Sequence, residues 1–551
     1  MKLLLTAIFL AFICFCNGDG GAPVVTAATF SPSTPASSGG AVGTVACSAN
    51  CGGIAWSITG GNSSGDFQIN SSTGAITFTA QGQTDWNGAS ALQNASLTVQ
   101  ASNGQAGNNT ITVNGYSDGS VNAPSCSAQL PNSLHNGGVS FLRVTAGSGY
   151  TDGTGYSLTF SGGGGSGAAG TVDVVGGLIV NAVVTNAGSG YTSNPTVTLP
   201  AGIGPGSLGA VTAAVYQTRP PWKVAGTDYC VGYASAPIKT AGVDTPPTCV
   251  TQNATAHKWT INADNCVIDG WDFTGGGGWQ IIGCNTSSNP TITNSKFLIG
   301  TNLFQPVLLQ GAQNSCTDAA GLTFSNNVID GANLNWGGVG SSAGGGGLLQ
   351  IQRGGTQVYK YNLIKNSGAD LVDAVGGSLD TSTALTVKYN VMMNDGQADG
   401  CSGASLHPDW LVTGNLTYNT PVIDFNFVIQ TTFPCGAGGG GTQGMTLDSN
   451  GVSGTVFNGG EASFNVMIAA ATQIGNQSYG QRFAPGFLPN SATTFTSAYN
   501  YVDPSGLTNQ STNPFTLSNS GTCGTSCIWT LNNNASLIGT TPSTWNTNQH
   551  D

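Results

Sequence analysis

Phe324-Ser325-Asn326-Asn327-Val328-Ile329 is followed by Lys360-Tyr361-Asn362-Leu363-Ile364 and then by Lys388-Tyr389-Asn390-Val391-Met392. The same phrase returns as Asp424-Phe425-Asn426-Phe427-Val428, as Ser463-Phe464-Asn465-Val466-Met467 and, degraded, as Ala498-Tyr499-Asn500-Tyr501-Val502. The aligned asparagines 327, 362, 390, 426, 465 and 500 are 35, 28, 36, 39 and 35 residues apart. Fainter copies stand at Asn265-Cys266-Val267-Ile268 and Ile292-Thr293-Asn294-Ser295-Lys296-Phe297. A period of this size means stacked supersecondary units. Before each Asn the apolar residues alternate, as a half-buried strand requires; after it they run on, so the Asn is read as a bend where the inward face resets. Asn tolerates the left-handed backbone such a bend needs, and stacked Asn side chains hydrogen-bond from rung to rung. Helical repeats are excluded by the scarcity of helix formers, the chain having one glutamate, Glu461. The expected unit is a coil of short parallel strands, a right-handed parallel β-helix with at least seven rungs and the asparagines in one column.

On these residues, 219–551 resembles the pectate-lyase-like superfamily of right-handed parallel β-helices, and more narrowly the secreted bacterial parallel β-helix repeat proteins. The resemblance implies a fold; chemistry has to come from the site.

The composition is all-β, turn-rich and extracellular in character, with 84 glycines and only 7% charged residues. A net charge of −12 with 12 Lys and Arg argues against nucleic acid as a partner, because phosphate neutralisation needs cations. Residues 1–18 read as a secretory signal: Lys2, an apolar stretch from Leu3 to Phe15, then Cys16-Asn17-Gly18. No later run is long and apolar enough to span a membrane, so the expected location is secreted or cell-surface. Without Cys14 and Cys16, 12 of the 14 cysteines remain, and short-range disulfides are expected at Cys47–Cys51, Cys230–Cys249, Cys401–Cys435 and Cys523–Cys527.

Two smaller modules precede the repeat. Residues 22–117 carry alternating runs broken by Gly and Asn, as a β-sandwich requires, and the stretch from Phe67 to Ile76 resembles a phrase of cadherin-like domains. The acidic motifs that would hold calcium there are missing, with Ala101-Ser102-Asn103-Gly104 in their place. In 118–218, Val144-Thr145-Ala146-Gly147-Ser148-Gly149-Tyr150-Thr151 recurs as Val184-Thr185-Asn186-Ala187-Gly188-Ser189-Gly190-Tyr191-Thr192. This resembles a small Gly-Ser-Gly-Tyr-Thr β-repeat of phage tail fibres and bacterial surface proteins. No Walker-type Lys follows, so its glycines are not a phosphate loop.

Chemistry is sought where acids crowd. Residues 365–424 hold Asp370, Asp373, Asp380, Asp395, Asp399, Asp409 and Asp424, together with His407. Asp370 and Asp399 follow their repeat asparagines by similar distances, which would set them about one strand spacing (~4.8 Å) apart. Lys360 and Lys388 share another register, facing outward, with Asp424 in the next copy. In a glycosidase reading one Asp protonates the leaving oxygen and another activates water. In a lyase reading the acids hold Ca²⁺ against a uronate, and Lys388 or His407 abstracts the proton. The candidate catalytic residues are Asp370, Asp399, His407, Asp409 and Lys388, and the candidate substrate-binding residues are Trp410, Asp373 and Arg353. The Asn-Thr-Asp, Asp-Asp and Gly-His-Gly motifs of β-helix polygalacturonases are not intact here, and neither are the Arg-rich lyase signatures. The functional expectation is a polysaccharide-directed extracellular protein that binds, and as a lyase or glycoside hydrolase cleaves, a glycan. The alternative is a non-enzymatic adhesin, fibre or tail-spike-like component, trimeric if spike-like.

Overall fold

The computed structural model describes residues 21–30, 38–63, 65–82, 95–113, 134–135, 137–145, 147–217, 220, 224–233, 236–285, 287–303, 305–311, 316, 320–334 and 347–368. It continues with 370–375, 383–394, 409–414, 417–430, 444–446, 456–469, 491–492, 495–503, 529–532 and 535–537. By contact density the chain divides into two compact units, Met1–Ala123 with Pro220–Lys223, and Pro124–Arg219 with Val224–Asp551.

The first unit is built of short strands. Ala55–Gly60, Ala95–Ser102 and Ala106–Val113 pair antiparallel, with Ala28–Phe30 added parallel at the edge; Ala41–Thr44, Phe67–Ile69 and Ala75–Phe78 form a second sheet. Trp56, Phe67, Ile76, Phe78, Leu97, Val99 and Ile111 share one core, which fits the β-sandwich expected of a cadherin-like module.

In the second unit the chain visits three long sheets in turn, so that each strand pairs with one laid down a full circuit earlier. Among the described residues these sheets hold ten, eight and nine strands, and their pairing is parallel apart from the antiparallel start, Val250–Asn253 on Lys258–Ile261. The inward columns are Trp259, Ile281, Val307, Leu349, Val372, Leu411 and Met445 on the eight-strand sheet, and Ile268, Ile292, Phe324, Tyr359, Val387 and Ile423 on the nine-strand sheet. On the ten-strand sheet Phe297, Ile329, Ile364, Met392, Val428, Met467 and Val502 do the same, and all three columns meet in one core.

At the corner between the nine-strand and ten-strand sheets the asparagines do stack. The Oδ1 of Asn362 accepts the backbone N–H of Asn327 at 2.9 Å, and the contact repeats from Asn390 to Asn362, Asn426 to Asn390, Asn465 to Asn426 and Asn500 to Asn465 at 2.9–3.1 Å. Each Nδ2 also reaches a strand carbonyl, as from Asn390 to Tyr359 at 2.9 Å. The ladder begins with the N–H of Trp271 on Ser295 Oγ and that of Ser295 on Asn327 Oδ1, so Trp271 and not Asn265 opens the column.

The left-handed residue is not the ladder Asn. It is the residue before it: Gly270, Asn294, Asn326, Tyr361, Tyr389, Phe425, Phe464 and Tyr499 all have φ between 49° and 74°. Bulky residues meet a cost of about 1–2 kcal/mol there. The last five are offset by one another, because their rings stack at 5.1, 5.2, 4.9 and 5.0 Å between centroids, and such pairs contribute roughly 0.5–1.5 kcal/mol each.

The module of the Gly-Ser-Gly-Tyr-Thr repeat packs on the outer face of the ten-strand sheet. Leu134, Phe141, Ala214 and Tyr216, with Val224 and Ala225 just after the module, bury Leu363, Val391, Met393, Phe427, Ile429, Val466 and Ile468. Within it each repeat tyrosine lies against glycines: a Cβ on Gly206 would stand 2.2 Å from the Tyr150 ring, and one on Gly165 would stand 2.5 Å from that of Tyr191.

Cys47 and Cys51 are joined, with Cα atoms 5.8 Å apart. The expected Cys230–Cys249 bond is not made. The Val250–Asn253 hairpin turns Cys249 back to Cys266 (Cα–Cα 5.6 Å), Cys284 joins Cys316 (5.0 Å), and Cys230 is in another disulfide. Cys401, Cys435, Cys523 and Cys527 lie outside the described residues.

Candidate functional site

Because Phe324, Tyr359, Val387 and Ile423 point inward, their neighbours in each strand face out. One outward column of the nine-strand sheet runs Asp269, Thr293, Ser325, Lys360, Lys388, Asp424 in register. Beside it runs a second: Val267, Thr291, Thr323, Val358, Thr386, Val422, Glu461, Thr496. Most of these positions are exposed or half-buried. The columns converge on three ionisable groups.

Lys388 ends the strand Thr383–Lys388, and Asp424 ends its parallel partner Val422–Asp424. The Lys388 Nζ stands 3.4 Å from Asp424 Oδ2, while Asp424 Oδ1 accepts the Ser463 N–H at 2.9 Å. Asp424 is 1% exposed and Lys388 9%. Half-buried Glu461, on the next turn, hydrogen-bonds the Asp424 carboxyl. Burial first, and the charge of Glu461 second, push Asp424 up to about 8, against the pull of Lys388 and of the Ser463 N–H. Burial raises Glu461 as well. Two adjacent carboxyls do not both ionise readily, so near neutral pH Asp424 keeps its proton and donates it to Glu461. The pair then carries one negative charge, and the Lys388 ammonium balances it.

The folded chain holds the Asp424 proton more tightly than the unfolded chain, whose carboxyl titrates near the ordinary aspartate value of 3.8. The contribution is complete below about pH 4 and is lost as pH rises through about 8. In a Lys388→Arg chain, which keeps the cation, the urea unfolding midpoint is expected to fall between pH 5 and 8, and adding Asp424→Asn is expected to flatten the slope. A midpoint independent of pH in Lys388→Arg would contradict this assignment.

Apart from Asp424 itself, the described residues singled out by acid crowding are not gathered with this trio. Asp373, in Val372–Val375 of the eight-strand sheet, is buried and accepts from Gln350 Nε2 at 3.0 Å. Asp370 is half-buried just before that strand, its carbonyl taking the Leu348 N–H. Lys388 therefore stands on a different sheet from both, and as one member of a salt bridge it is a poor base. Asp409 opens the strand Asp409–Gly414, and Asp399 and His407 lie outside the described residues. Two expectations are corrected. Trp410 is 0% exposed, packed in the core with its Nε1 on Gln430 Oε1 at 3.4 Å, so it offers no stacking platform. Arg353 is also 0% exposed and turns into the coil, where it ties Gly283 O, Ser287 O and Ser287 Oγ at 2.8–3.2 Å, so it meets no substrate. Among the described residues no three His, Cys, Asp or Glu side chains gather as a metal site.

Glu461 was missed by sequence reasoning. The signal was present: it is the one glutamate in the chain, and it stands four residues before a ladder asparagine.

No known protein family and no curated protein matches the chain. Among solved structures it is similar to Drosophila N-cadherin EC1-3, at 14% identity and a TM-score of 0.15, over 35% of this chain and 66% of that one. It is also similar to protocadherin gammaB7 EC3-6, at 13% identity and a TM-score of 0.16, over 42% of this chain and 55% of that one. The chain thus spans about two thirds and about half of the length of these two structures. No helix among the described residues is long and apolar enough to cross a membrane.

Proposed function

We propose that the three-sheet coil is a right-handed parallel β-helix of the pectate-lyase-like kind, and that the chain is a secreted or cell-surface protein that binds an extracellular polysaccharide along the outward face of its nine-strand sheet. The observation that carries this reading is the contrast among the three outer faces. The ten-strand face is covered by the Gly-Ser-Gly-Tyr-Thr module where it is most apolar, and on the eight-strand face Gln350 and Asp373 are buried. The nine-strand face repeats Thr291, Thr323 and Thr386, with Thr293, Ser325 and Lys360 beside them, at one strand per turn. From Thr291 to Thr386 that is four strands at ~4.8 Å, a hydroxyl-bearing strip of roughly 14 Å broken in the threonine column only by Val358, a periodic surface suited to a periodic polymer.

The trio of Lys388, Asp424 and Glu461 is not a glycosidase centre. Its carboxyls share a hydrogen bond, whereas two-carboxylate hydrolysis holds them about 5 Å or more apart. We place any cleavage instead in the window of Asp399, His407 and Asp409, where the sequence crowds its acids around a histidine.

The test is a polysaccharide panel on the full mature chain, scored for binding, for new reducing ends and for absorbance of unsaturated uronates. Thr323→Lys combined with Thr386→Lys is expected to weaken binding at least ~10-fold, with Trp410→Phe leaving it unchanged. If ends are released, Asp399→Ala or His407→Ala is expected to lower turnover by at least ~10²-fold. A panel with neither binding nor cleavage would overturn the glycan reading and leave a non-enzymatic adhesin or fibre component, a role consistent with Trp410 and Arg353 serving only the fold.

A further inference from the structure

We infer that Lys388 and Asp424 react with each other, without an enzyme, to form an amide bond that staples neighbouring turns of the coil, with Glu461 as the proton-transfer group. The structure supplies the three conditions such a condensation needs. The first is contact. The two side chains sit opposite each other across a parallel strand pair, with Nζ 3.4 Å from Oδ2 of the carboxyl whose carbon it must reach. The second is exclusion of water from the reacting atoms, since Asp424 is 1% exposed and Lys388 9%. Burial disfavours both the ammonium and the carboxylate, the charged forms whose hydration opposes condensation in water. The third is a neutral carboxyl beside a proton acceptor. A carboxylate repels an incoming amine, but Asp424 retains its proton and Glu461 is hydrogen-bonded to it.

The steps balance. The Lys388 ammonium gives one proton to the Glu461 carboxylate and becomes an amine. Its lone pair forms the Nζ–Cγ bond with Asp424, and the Ser463 N–H steadies the charge that gathers on Oδ1. Oδ2 carries the acid proton, takes the proton back from Glu461 and leaves as water. Glu461 then removes the surplus proton from nitrogen. The products are one amide, one water and a protonated Glu461, with no oxidant or reductant involved. A plain buried ion pair needs no third group, whereas this arrangement includes the chain's one glutamate.

The decisive measurement is the intact mass of the full mature chain, fully reduced and denatured, followed by tryptic mapping. The expected wild-type mass is below the sequence mass by one water. Trypsin is expected not to cut after Lys388, and a branched peptide is expected to join the Lys388 and Asp424 segments. Glu461→Gln keeps both reacting groups but accepts no proton, so it is expected at full mass, as is Lys388→Arg. A wild-type chain at full mass and cut after Lys388, after prolonged incubation at neutral pH, overturns the proposal. Loss of water without the branched peptide overturns it too, since that water would have come from elsewhere. Both readings are made on the wild-type chain and stand whether or not the variants fold, and neither depends on glycan binding.

Discussion

Replacing Asn390 by alanine is expected to destabilise the chain by roughly 3–5 kcal/mol, although the substitution touches no exposed surface. Asn390 is 0% exposed and sits mid-ladder. Its Oδ1 accepts both the backbone N–H and the Nδ2 of Asn362, at 3.0 and 2.9 Å, while its Nδ2 donates to Tyr359 O at 2.9 Å and to Asn426 Oδ1 at 3.0 Å. Alanine removes all four contacts and leaves the Asn362 N–H and the Tyr359 carbonyl buried without them. Each such group costs about 1–3 kcal/mol, which dominates the small apolar change. The control is Asn458→Ala, because Asn458 is exposed and its side-chain hydrogen bond among the described residues, to Asn419 Oδ1 at 2.9 Å, lies at the surface. It is expected within about 0.5 kcal/mol of wild type. Urea unfolding of the two variants decides the matter; equal midpoints would show that the ladder contributes no more than surface asparagines do.

That ladder was legible in the sequence because from Asn327 to Asn500 one residue type fills its position in every turn. Only a side chain with both an acceptor and a donor can serve the turn before and the turn after, so Asn survives while its neighbours drift. The left-handed corner was misread for the complementary reason. Conformation alone favours Gly or Asn, and Gly270, Asn294 and Asn326 follow that rule, but from Tyr361 onward stacking between turns outweighs it. A contact between residues some thirty positions apart leaves no local signature. Trp410 misled similarly: next to Asp409 and His407 it resembled a sugar platform, and only the three-dimensional core shows it inside.

The apolar runs held a second message. Val391-Met392-Met393, Phe427-Val428-Ile429 and Val466-Met467-Ile468 are continuous, whereas Lys296-Phe297-Leu298 and Val328-Ile329-Asp330 each place a charge on the outer side. Continuous runs mark strands buried on both faces. The earlier copies face water with ion pairs, Asp272–Lys296 at 2.8 Å and Asp330–Lys365 at 3.0 Å, and the later ones lie under the module that precedes the repeat. The trio of Lys388, Asp424 and Glu461 was half visible, since the shared register of the first two can be read from the repeat. Glu461 enters by an isolated bridge to Val422 that the repeat does not align.

Asp503→Ala is expected to cost roughly 3–5 kcal/mol and to loosen the module from the coil. Asp503 lies at the end of the strand Tyr501–Asp503, 0% exposed, where the apolar contact between module and ten-strand sheet meets its polar members. Its Oδ2 accepts from Arg143 Nη2 at 2.8 Å and from the Tyr216 hydroxyl at 2.5 Å. Burial first, and the Asp503 charge second, hold that hydroxyl well above the usual phenol range, so it remains a donor at any ordinary pH. Alanine would strip the buried phenol and the guanidinium, whose side chain is 23% exposed, of this shared acceptor, and the loss of the charged partner is the larger part of the cost. Asp503→Asn keeps an acceptor oxygen but not the charge, so it should fall between alanine and wild type. Hydrogen exchange locates the effect: Val139–Thr145 and Ala210–Val215 should lose protection in Asp503→Ala, while Thr383–Lys388, on the nine-strand sheet, should keep it. Wild-type exchange in the first two segments would mean that the apolar contacts alone hold the module. Loss spread evenly over all three would mean that the coil and module unfold as one, with Asp503 serving the whole unit and not the junction.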